Sequence, residues 1–314
     1  MPHKLRGTGA TSAALDVREA GRISALGDGA DLLVDTVAFD RTDAVALCEA
    51  STDVGHIVAI SSASVYADEA GRNLNEARDR GFPRLPVFVN ESHGTVRPGD
   101  HTYSERKISM EQHLLDNARC PVSILRPCAV HGDGSRHPRE WWFVKRLRDG
   151  RQIVPVAFGG GSRFHISAAV NIAALIATIA TSRASQILNA VDPDAPTVLQ
   201  IGQAIAKRMG IHLTPVGMPG HPQDAVGASP WSVPRPFVLS DAKAMALGYT
   251  PIGTYAETVG GTVDRLAAFA EDRHWQITFP QLAAYPHDLF DYAAEDKWLQ
   301  RQRRAGVKNK DSGG

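Results

Sequence analysis

Short apolar segments alternate with helix-like segments through the first two thirds of the chain. The predicted strands are 31–39, 56–61, 122–126 and 187–191. The predicted helices around them are 42–50, 104–117, 140–148 and 168–181. Strands that are apolar throughout are typical of sheets covered on both faces, and their alternation with helices favours parallel pairing. The pattern therefore predicts an α/β fold built on a parallel sheet.

Composition limits the classes of partner and of compartment. The 314 residues carry 34 Lys and Arg against 34 Asp and Glu, so no net charge attracts nucleic acid or an anionic membrane. No apolar run is long enough to span a bilayer, and the first residues lack the apolar core of a signal peptide. Cys48, Cys120 and Cys128 have no zinc or disulfide spacing, and the histidines are scattered. We predict a cytoplasmic protein with no metal site.

Two polar motifs follow these apolar segments. Ser61 and Ser62 end the strand 56–61 and open a Ser-Ser-x-x-Val-Tyr run. Tyr103 and Lys107 lie four positions apart, so a helix places both on one face. A phenol with a pKa near 10 is a weak base at neutral pH, and a neighbouring ammonium favours the phenolate. Taken alone, such a pair is most simply two exposed residues on a helix surface.

These motifs, with 125–132 (Leu-Arg-Pro-Cys-Ala-Val-His-Gly), resemble the catalytic core of the extended short-chain dehydrogenase/reductases, the nucleotide-sugar epimerase and dehydratase group. The resemblance implies a Rossmann-like core that binds NAD or NADP. It also implies oxidation, reduction or epimerisation at a carbinol carbon, of a nucleotide sugar or a related polyol. By the same resemblance Tyr103 exchanges the proton, Lys107 supplies charge and holds the nicotinamide ribose, and Ser62 hydrogen-bonds the reacting oxygen.

The resemblance also implies a set of cofactor-binding residues. These are Asp16, Val17, Thr36, Val37, Ala38, Phe39, Ser61, Tyr103, Lys107, Pro127 and Val130. Segment 15–17 would be a short third strand near the adenine. The chain departs from the family pattern at His131, where a tyrosine is usual, and at Asn171, where an acidic residue is usual. The basic cluster 139–151, which follows the segment 125–132, consists of Arg139, Lys145, Arg146, Arg148 and Arg151. It is interpreted first as a solvated helix face and second as a contact for the diphosphate of the substrate.

The amino terminus lacks the glycine fingerprint of such a core. Gly7 and Gly9 resemble a phosphate-binding turn, but no buried strand precedes them. Three explanations stay open: a start recorded too far downstream, which we favour, a strand supplied by another chain, or a decayed copy. We predict an incomplete Rossmann-like core over 1–190, a smaller substrate lobe over 191–302 and a disordered tail over 303–314. The long connection 67–102 would be a lid or a mobile insertion.

A second class of function is a cofactor-free binding or scaffold protein, which the missing glycine turn supports. RNA binding is disfavoured by the zero net charge and by the lack of a stripe of aromatic and basic residues. The expected partner is a small-molecule substrate, with neither nucleic acid nor membrane, and a homodimer is left open.

Overall fold

The computed structural model describes residues 8–14, 16–17, 21–269 and 274–311. Its strands are β1 (Leu33–Asp35), β2 (Ile57–Ile60), β3 (Val122–Pro127), β4 (Ala129–His131), β5 (Ile153–Val156), β6 (Ile166–Ala168), β7 (Gln186–Ala190) and β8 (Thr214–Gly217). Four strands form one sheet in the order β1, β2, β3, β7. The strands β1 and β2 run parallel, with Leu33 opposite Ile57. The predicted α/β fold with a parallel sheet is confirmed.

The described residues form thirteen α-helices, and four of them match the predicted helices 42–50, 104–117, 140–148 and 168–181. The helices are α1 (Arg22–Gly27), α2 (Arg41–Ala50), α3 (Ala77–Arg80), α4 (Tyr103–Asn117), α5 (Trp141–Arg148), α6 (Ala169–Ile179), α7 (Val198–Met209), α8 (Ala242–Ala246), α9 (Tyr255–Thr258), α10 (Gly260–Ala267), α11 (Trp275–Thr278), α12 (Pro280–Ala283) and α13 (Tyr292–Asp311). None of them is long and apolar enough to cross a membrane within the described ranges.

The chain divides into two compact units. The first consists of Met1–Ser61, Arg97–Ile124 and Ala180–Gln186. Within it α2 packs along α4. Thr102 and Glu105 start α4 with a capping box, in which each side chain accepts a hydrogen bond from the backbone N–H of the other residue. This cap fixes the first turn of α4, and that turn carries Tyr103.

The second unit consists of Ser62–Val96, Leu125–Ile179 and Ile187–Gly314. Its core is built on Trp141, Trp142 and Phe143, each at most 1% exposed, together with apolar residues of α7 and α10. Two parallel strand pairs, β4 with β6 and β5 with β8, belong to this unit. The division into a core over 1–190 and a lobe over 191–302 follows other boundaries and stays a prediction.

Several predicted elements are shorter than the apolar pattern suggests. The strand predicted over 31–39 ends at Asp35, because the Asp35 carboxylate accepts hydrogen bonds from the backbone N–H groups of Val37 and Ala38 and turns the chain. Asp16 lies in irregular backbone and Val17 in a turn, so the third strand is wrong at these residues. The rest of that segment, Leu15, lies outside the described residues, as does Gly7.

The carboxyl-terminal segment differs from the prediction as well. The helix α13 extends to Asp311, within the segment predicted to be a disordered tail. Its composition explains the helix, since Ala, Glu, Gln, Lys and Arg all have high helix propensity.

The connection 67–96 is hydrogen-bonded within the second unit along its length. Asp68 accepts hydrogen bonds from the backbone N–H groups of Ala70, Arg72 and Arg84 and from the Arg72 guanidinium. Further along, Val89 forms a parallel bridge with Leu239. These bonds favour a built part of the unit over a mobile insertion.

Candidate active site

The carboxyl end of β1 carries the four residues predicted to cover the cofactor. Thr36 and Val37 are exposed, Ala38 is buried and Phe39 is half-buried. The Asp43 carboxylate accepts a hydrogen bond from the Phe39 N–H at 2.7 Å and so fixes the backbone before α2. A cavity of about 60 Å³ lies here, lined by Val17, Ile23, Asp35, Val37, Ala38, Thr42, Asp43 and Ala46. The structure therefore brings Val17 to the same cavity as Val37 and Ala38, although Val17 is not in a strand.

Lys107 lies at the carboxyl ends of β1 and β2. The side chain is 7% exposed, and its Nζ donates to the carbonyl oxygens of Ala38 at 2.7 Å and Ile60 at 3.0 Å. Burial lowers the pKa of Lys107, and the nearby carboxylates of Asp35, Glu111 and Asp43 oppose that shift. The ammonium is thus fixed by backbone acceptors and surrounded by negative charge.

Tyr103 is the first residue of α4, one helical turn before Lys107. It is 42% exposed, and its ring centroid lies 5.5 Å from that of Phe39. The amino-terminal end of a helix carries a partial positive charge, which favours a negative group there. Tyr103 is therefore accessible and lies at the amino-terminal end of α4.

The two serines after β2 have different surroundings. Ser61 is 4% exposed, and its hydroxyl donates to the buried carboxylate of Glu111. Ser62 is half-buried, and its Oγ accepts a hydrogen bond from the Ser64 N–H, which caps the 3₁₀ turn Ala63–Val65. Ser62 keeps its own O–H as a donor for a reacting oxygen, since this cap uses only an acceptor.

In the second unit β3 ends at the buried Pro127, and Val130 on β4 is 39% exposed. His131, which replaces the usual tyrosine, is buried, and its Nε2 lies 3.0 Å from the Asp192 carboxylate. Asp192 also accepts from the Ala168 N–H and from the Asn171 amide. The contact with the buried Asp192 carboxylate thus fixes the orientation of the His131 ring.

Asn171 stands where the resemblance leads us to expect an acidic residue, and its side chain is hydrogen-bonded on both sides. Its amide donates to Asp192 Oδ1 and to the Gly253 carbonyl, both at 2.8 Å. Its Oδ1 accepts from the N–H groups of Ile252 and Gly253. An amide can donate and accept at once, whereas a carboxylate beside Asp192 could not donate. The replacement of acid by amide is explained by Asp192.

Most residues of the basic cluster 139–151 bind partners within the protein. Arg146 is 2% exposed and binds Glu295, so the interpretation as a solvated face is wrong for this residue. Lys145 pairs with Asp149, Arg151 pairs with Asp296, and Arg148 donates to the Phe269 carbonyl. These contacts engage four of the five residues of the cluster and leave little support for a diphosphate contact by those four.

Neither a thiol nucleophile nor a metal centre is supported by the geometry. The described residues hold no group of three or more His, Cys, Asp or Glu placed to bind a metal ion. The three cysteines are unpaired, and burial raises the pKa of Cys128 to about 12.

Sequence reasoning missed the acidic residues next to the predicted ones: Asp35, Asp43 and Glu111 in the first unit, and Asp192 in the second. Glu111 carries a readable signal, because it lies four positions after Lys107 and one turn further on the same helix face. Asp35 follows an apolar strand and precedes a turn, which is also typical of a capping acid. Asp192 has no local signal, since its partners His131 and Asn171 are far away in sequence.

The structure is similar to those of several nucleotide-sugar enzymes. A dTDP-glucose 4,6-dehydratase from Bacillus anthracis, solved with NAD, matches over 88% of this chain and 86% of its own, with a TM-score of 0.61 and 14% identity. A UDP-glucose 4-epimerase from Thermotoga maritima, solved with UDP-glucose, matches over 83% of this chain and 86% of its own, with a TM-score of 0.61 and 16% identity. A UDP-N-acetylglucosamine 4-epimerase from Bacillus cereus matches over 82% of this chain and 85% of its own, with a TM-score of 0.60 and 14% identity.

The chain has the fold of the extended short-chain dehydrogenase/reductases. No protein-family model and no curated protein matches its sequence. At identities of 14–16% the structural likeness establishes this fold and leaves the activity to experiment. The resemblance predicted from the motifs at Ser61, Tyr103 and Arg126 is confirmed at the level of the fold.

An extended short-chain dehydrogenase/reductase fold implies a nicotinamide dinucleotide, and the described residues fit one end of it. Lys107 uses two N–H groups on Ala38 and Ile60 and has a third for a ribose hydroxyl. Exposed Thr36, Val37 and Tyr103 lie at the same strand ends. For the pyrophosphate, Gly9 lies in exposed irregular backbone, and no glycine-rich turn joins a strand to a helix within 8–14, 16–17 and 21–60. The nicotinamide end fits, and the phosphate end has no cradle among these residues.

Proposed function

We propose that the protein is an NAD- or NADP-dependent oxidoreductase of the epimerase, dehydratase or reductase type. It acts at a carbinol carbon, of a nucleotide sugar or a related polyol. The observation that carries the proposal is the position of Lys107. Its buried ammonium is hydrogen-bonded to the carboxyl ends of β1 and β2, one helical turn from the accessible phenol of Tyr103.

In this proposal Tyr103 exchanges a proton with the substrate hydroxyl. Its phenolate is favoured by its position at the amino-terminal end of α4 and by the positive charge of Lys107. Lys107 keeps its position through the Ala38 and Ile60 carbonyls, and its remaining N–H orients the ribose. The Ser62 O–H donates to the oxygen on the reacting carbon. A nicotinamide, when bound, supplies the exchange of hydride with that carbon.

The proposed substrate class is supported by the structural relatives. The Thermotoga maritima epimerase was solved with UDP-glucose and the Bacillus anthracis dehydratase with NAD. We extend both ligand classes to this chain as proposals. A cytoplasmic location and a homodimer also stay predictions.

Replacing Tyr103 with Phe tests the assigned chemistry. The variant keeps the ring beside Phe39 but loses the exchangeable proton, so we expect turnover to fall about 10²–10⁴-fold without loss of folding. Tyr292→Phe is the matched control, because the Tyr292 hydroxyl bonds Asp149 in the other unit. Turnover of a panel of nucleotide sugars is followed by nicotinamide absorbance for redox products and by chromatography for epimers. Unchanged turnover in Tyr103→Phe would refute the mechanism.

The second candidate function is cofactor-free binding, which one observation favours. The described part of the amino-terminal segment offers no glycine-rich turn for a pyrophosphate. Titration of the protein into NADH or NADPH, followed by nicotinamide fluorescence, separates the two proposals. The oxidoreductase proposal predicts a saturable change that Lys107→Met weakens, and the scaffold proposal predicts no change with either nucleotide.

A further inference from the structure

Glu111 is a buried carboxylate next to the proposed active site, without a role in the proposed mechanism. It lies on α4, is 1% exposed, and accepts a hydrogen bond from the Ser61 hydroxyl. Burial of a charged carboxylate is unfavourable unless hydrogen bonds and an opposite charge offset the loss of water. Both kinds of partner are present, because Ser61 donates a hydrogen bond and Lys107 lies one turn earlier on the same helix face.

Ser61 connects this carboxylate to the reactive end of β2. It directly follows Ile60, whose carbonyl accepts from Lys107, and it directly precedes Ser62, the proposed donor to the substrate. The hydrogen bond between Ser61 and Glu111 therefore joins α4 to the backbone that carries both groups. The side chain of Glu111 thus contacts the end of β2 through Ser61 and also acts on the charge of Lys107.

We propose that Glu111 is a positioning residue for the reaction. Its carboxylate holds Ser61, and with it the end of β2, against α4, and it stabilises the ammonium form of Lys107. This inference rests on the proposed function for its catalytic meaning, but the two physical effects on Ser61 and Lys107 are measurable without turnover.

The charge of Lys107 depends on a small, defined set of groups. The carboxylates that face it are Asp35 after β1, Asp43 on α2 and Glu111 on α4. Asp35 is also bound to the N–H groups of Val37 and Ala38, and Asp43 to that of Phe39. These two acids stabilise the turn after β1 as well as the lysine. Glu111 accepts from the Ser61 hydroxyl, and a glutamine oxygen can accept the same hydrogen bond, so its charge can be removed while that bond is kept.

Three variants separate charge from hydrogen bonding. Glu111→Gln keeps an acceptor for Ser61 and removes the charge, whereas Ser61→Ala removes the hydrogen bond and keeps the charge. Asp116→Asn is the matched control, because Asp116 is an exposed acid on the same helix. Ionisation of Lys107 is followed by carbon-13 NMR of the lysine Cε atoms, and the signal is assigned with Lys107→Met.

In Glu111→Gln we expect Lys107 to lose its proton at lower pH than in the wild type. In Ser61→Ala and Asp116→Asn its titration stays close to that of the wild type. The alkaline limb of the pH profile of turnover moves to lower pH in Glu111→Gln alone, since activity needs the ammonium. A purely structural role would change the yield of folded protein without moving either titration.

An unchanged Lys107 titration in folded Glu111→Gln would overturn the inference. Should Glu111→Gln fail to fold, Glu111→Asp keeps the charge and must fold with a titration like that of the wild type. Failure of both variants to fold would also overturn it. A wild type that neither binds nicotinamide nucleotide nor turns over would refute the proposed function, whereas the NMR result tests the effect on Lys107 independently.

Discussion

The ion pair of Arg146 and Glu295 gives a quantitative test of the second unit. The guanidinium donates to Glu295 Oε1 from Nε at 3.1 Å and from Nη2 at 2.5 Å. It also donates to the carbonyls of Trp142 and Leu289 and lies 3.7 Å from the Trp142 ring centroid. Arg146 and Glu295 are each 2% exposed, so their charges have little access to water. Removal of either charge leaves the other buried.

Breaking a buried ion pair from one side destabilises proteins by about 3–5 kcal/mol. Glu295→Gln leaves Arg146 with two carbonyls and an aromatic ring, and Arg146→Met leaves Glu295 with Arg151 Nε at 3.5 Å. Because these partners remain, we expect each single variant to lose about 3 kcal/mol in free energy of unfolding, the lower end of that range. With an unfolding entropy of about 2.1 cal/mol/K per residue, a chain of 314 residues should show a fall in Tm of roughly 4–5 °C. The double variant Arg146→Met/Glu295→Leu has no buried charge left from the pair, and it should be more stable than either single variant.

Equilibrium urea denaturation, followed by tryptophan fluorescence, measures the free energy of unfolding for all three variants. The control is Arg208→Met, which breaks the pair of Arg208 with Asp264, where both side chains are 52% exposed. An exposed pair contributes little, so the unfolding curve of this control should stay near that of the wild type. The reasoning would be refuted if both single variants lost less than about 1 kcal/mol in free energy of unfolding. It would also be refuted if the loss in the double variant equalled the sum of the two single losses.

Two further predictions concern buried acids of the second unit. Burial would raise the pKa of Asp68, but hydrogen bonds from the Arg84 and Arg72 N–H groups and from the Arg72 side chain lower it to about 2. Since the folded pKa is depressed, Asp68 stabilises the fold above pH 4. Asp68→Asn should lower the free energy of unfolding by about 1–2 kcal/mol at pH 7, after allowance for screening at the partly exposed Arg72. In urea titrations the difference shrinks from pH 4 to pH 2, and a difference that persists would contradict the assignment. Asn171→Asp should destabilise the protein at pH 7, because it places a second carboxylate against Asp192 Oδ1. Thermal unfolding should show partial recovery near pH 4, and an unchanged Tm at pH 7 would exclude this repulsion.

The elements whose signals are local could be predicted from the sequence. The helix α4 has an apolar stripe and a Thr102–Glu105 capping box, and it forms within one residue of the predicted start. The strand β2 is continuous apolar sequence, and it forms inside its predicted bounds. In both cases the residues that fix the element are its own residues or immediate neighbours.

Features that depend on distant partners could not be predicted in this way. Arg146 looks like a residue of a solvated basic face until Glu295, 149 positions later, is placed against it. The amide of Asn171 looks like the loss of an acidic residue until the carboxylate of Asp192 is placed beside it. A local pattern records which side chains are charged, but the fold decides which of those charges meet. The candidate site was therefore predicted in its motif residues and missed in its acids.

The double role of Lys107 decides which measurement identifies the function. Its ammonium donates to the carbonyls of Ala38 and Ile60, and a methionine cannot replace either hydrogen bond. Lys107→Met should therefore destabilise the first unit whether the protein is an enzyme or a scaffold, and a loss of activity in this variant alone is no evidence for catalysis. The ring of Tyr103 packs on Phe39, and replacement by Phe keeps that ring in place. Turnover of Tyr103→Phe, compared with nucleotide binding by the same variant, is the measurement that separates chemistry from architecture.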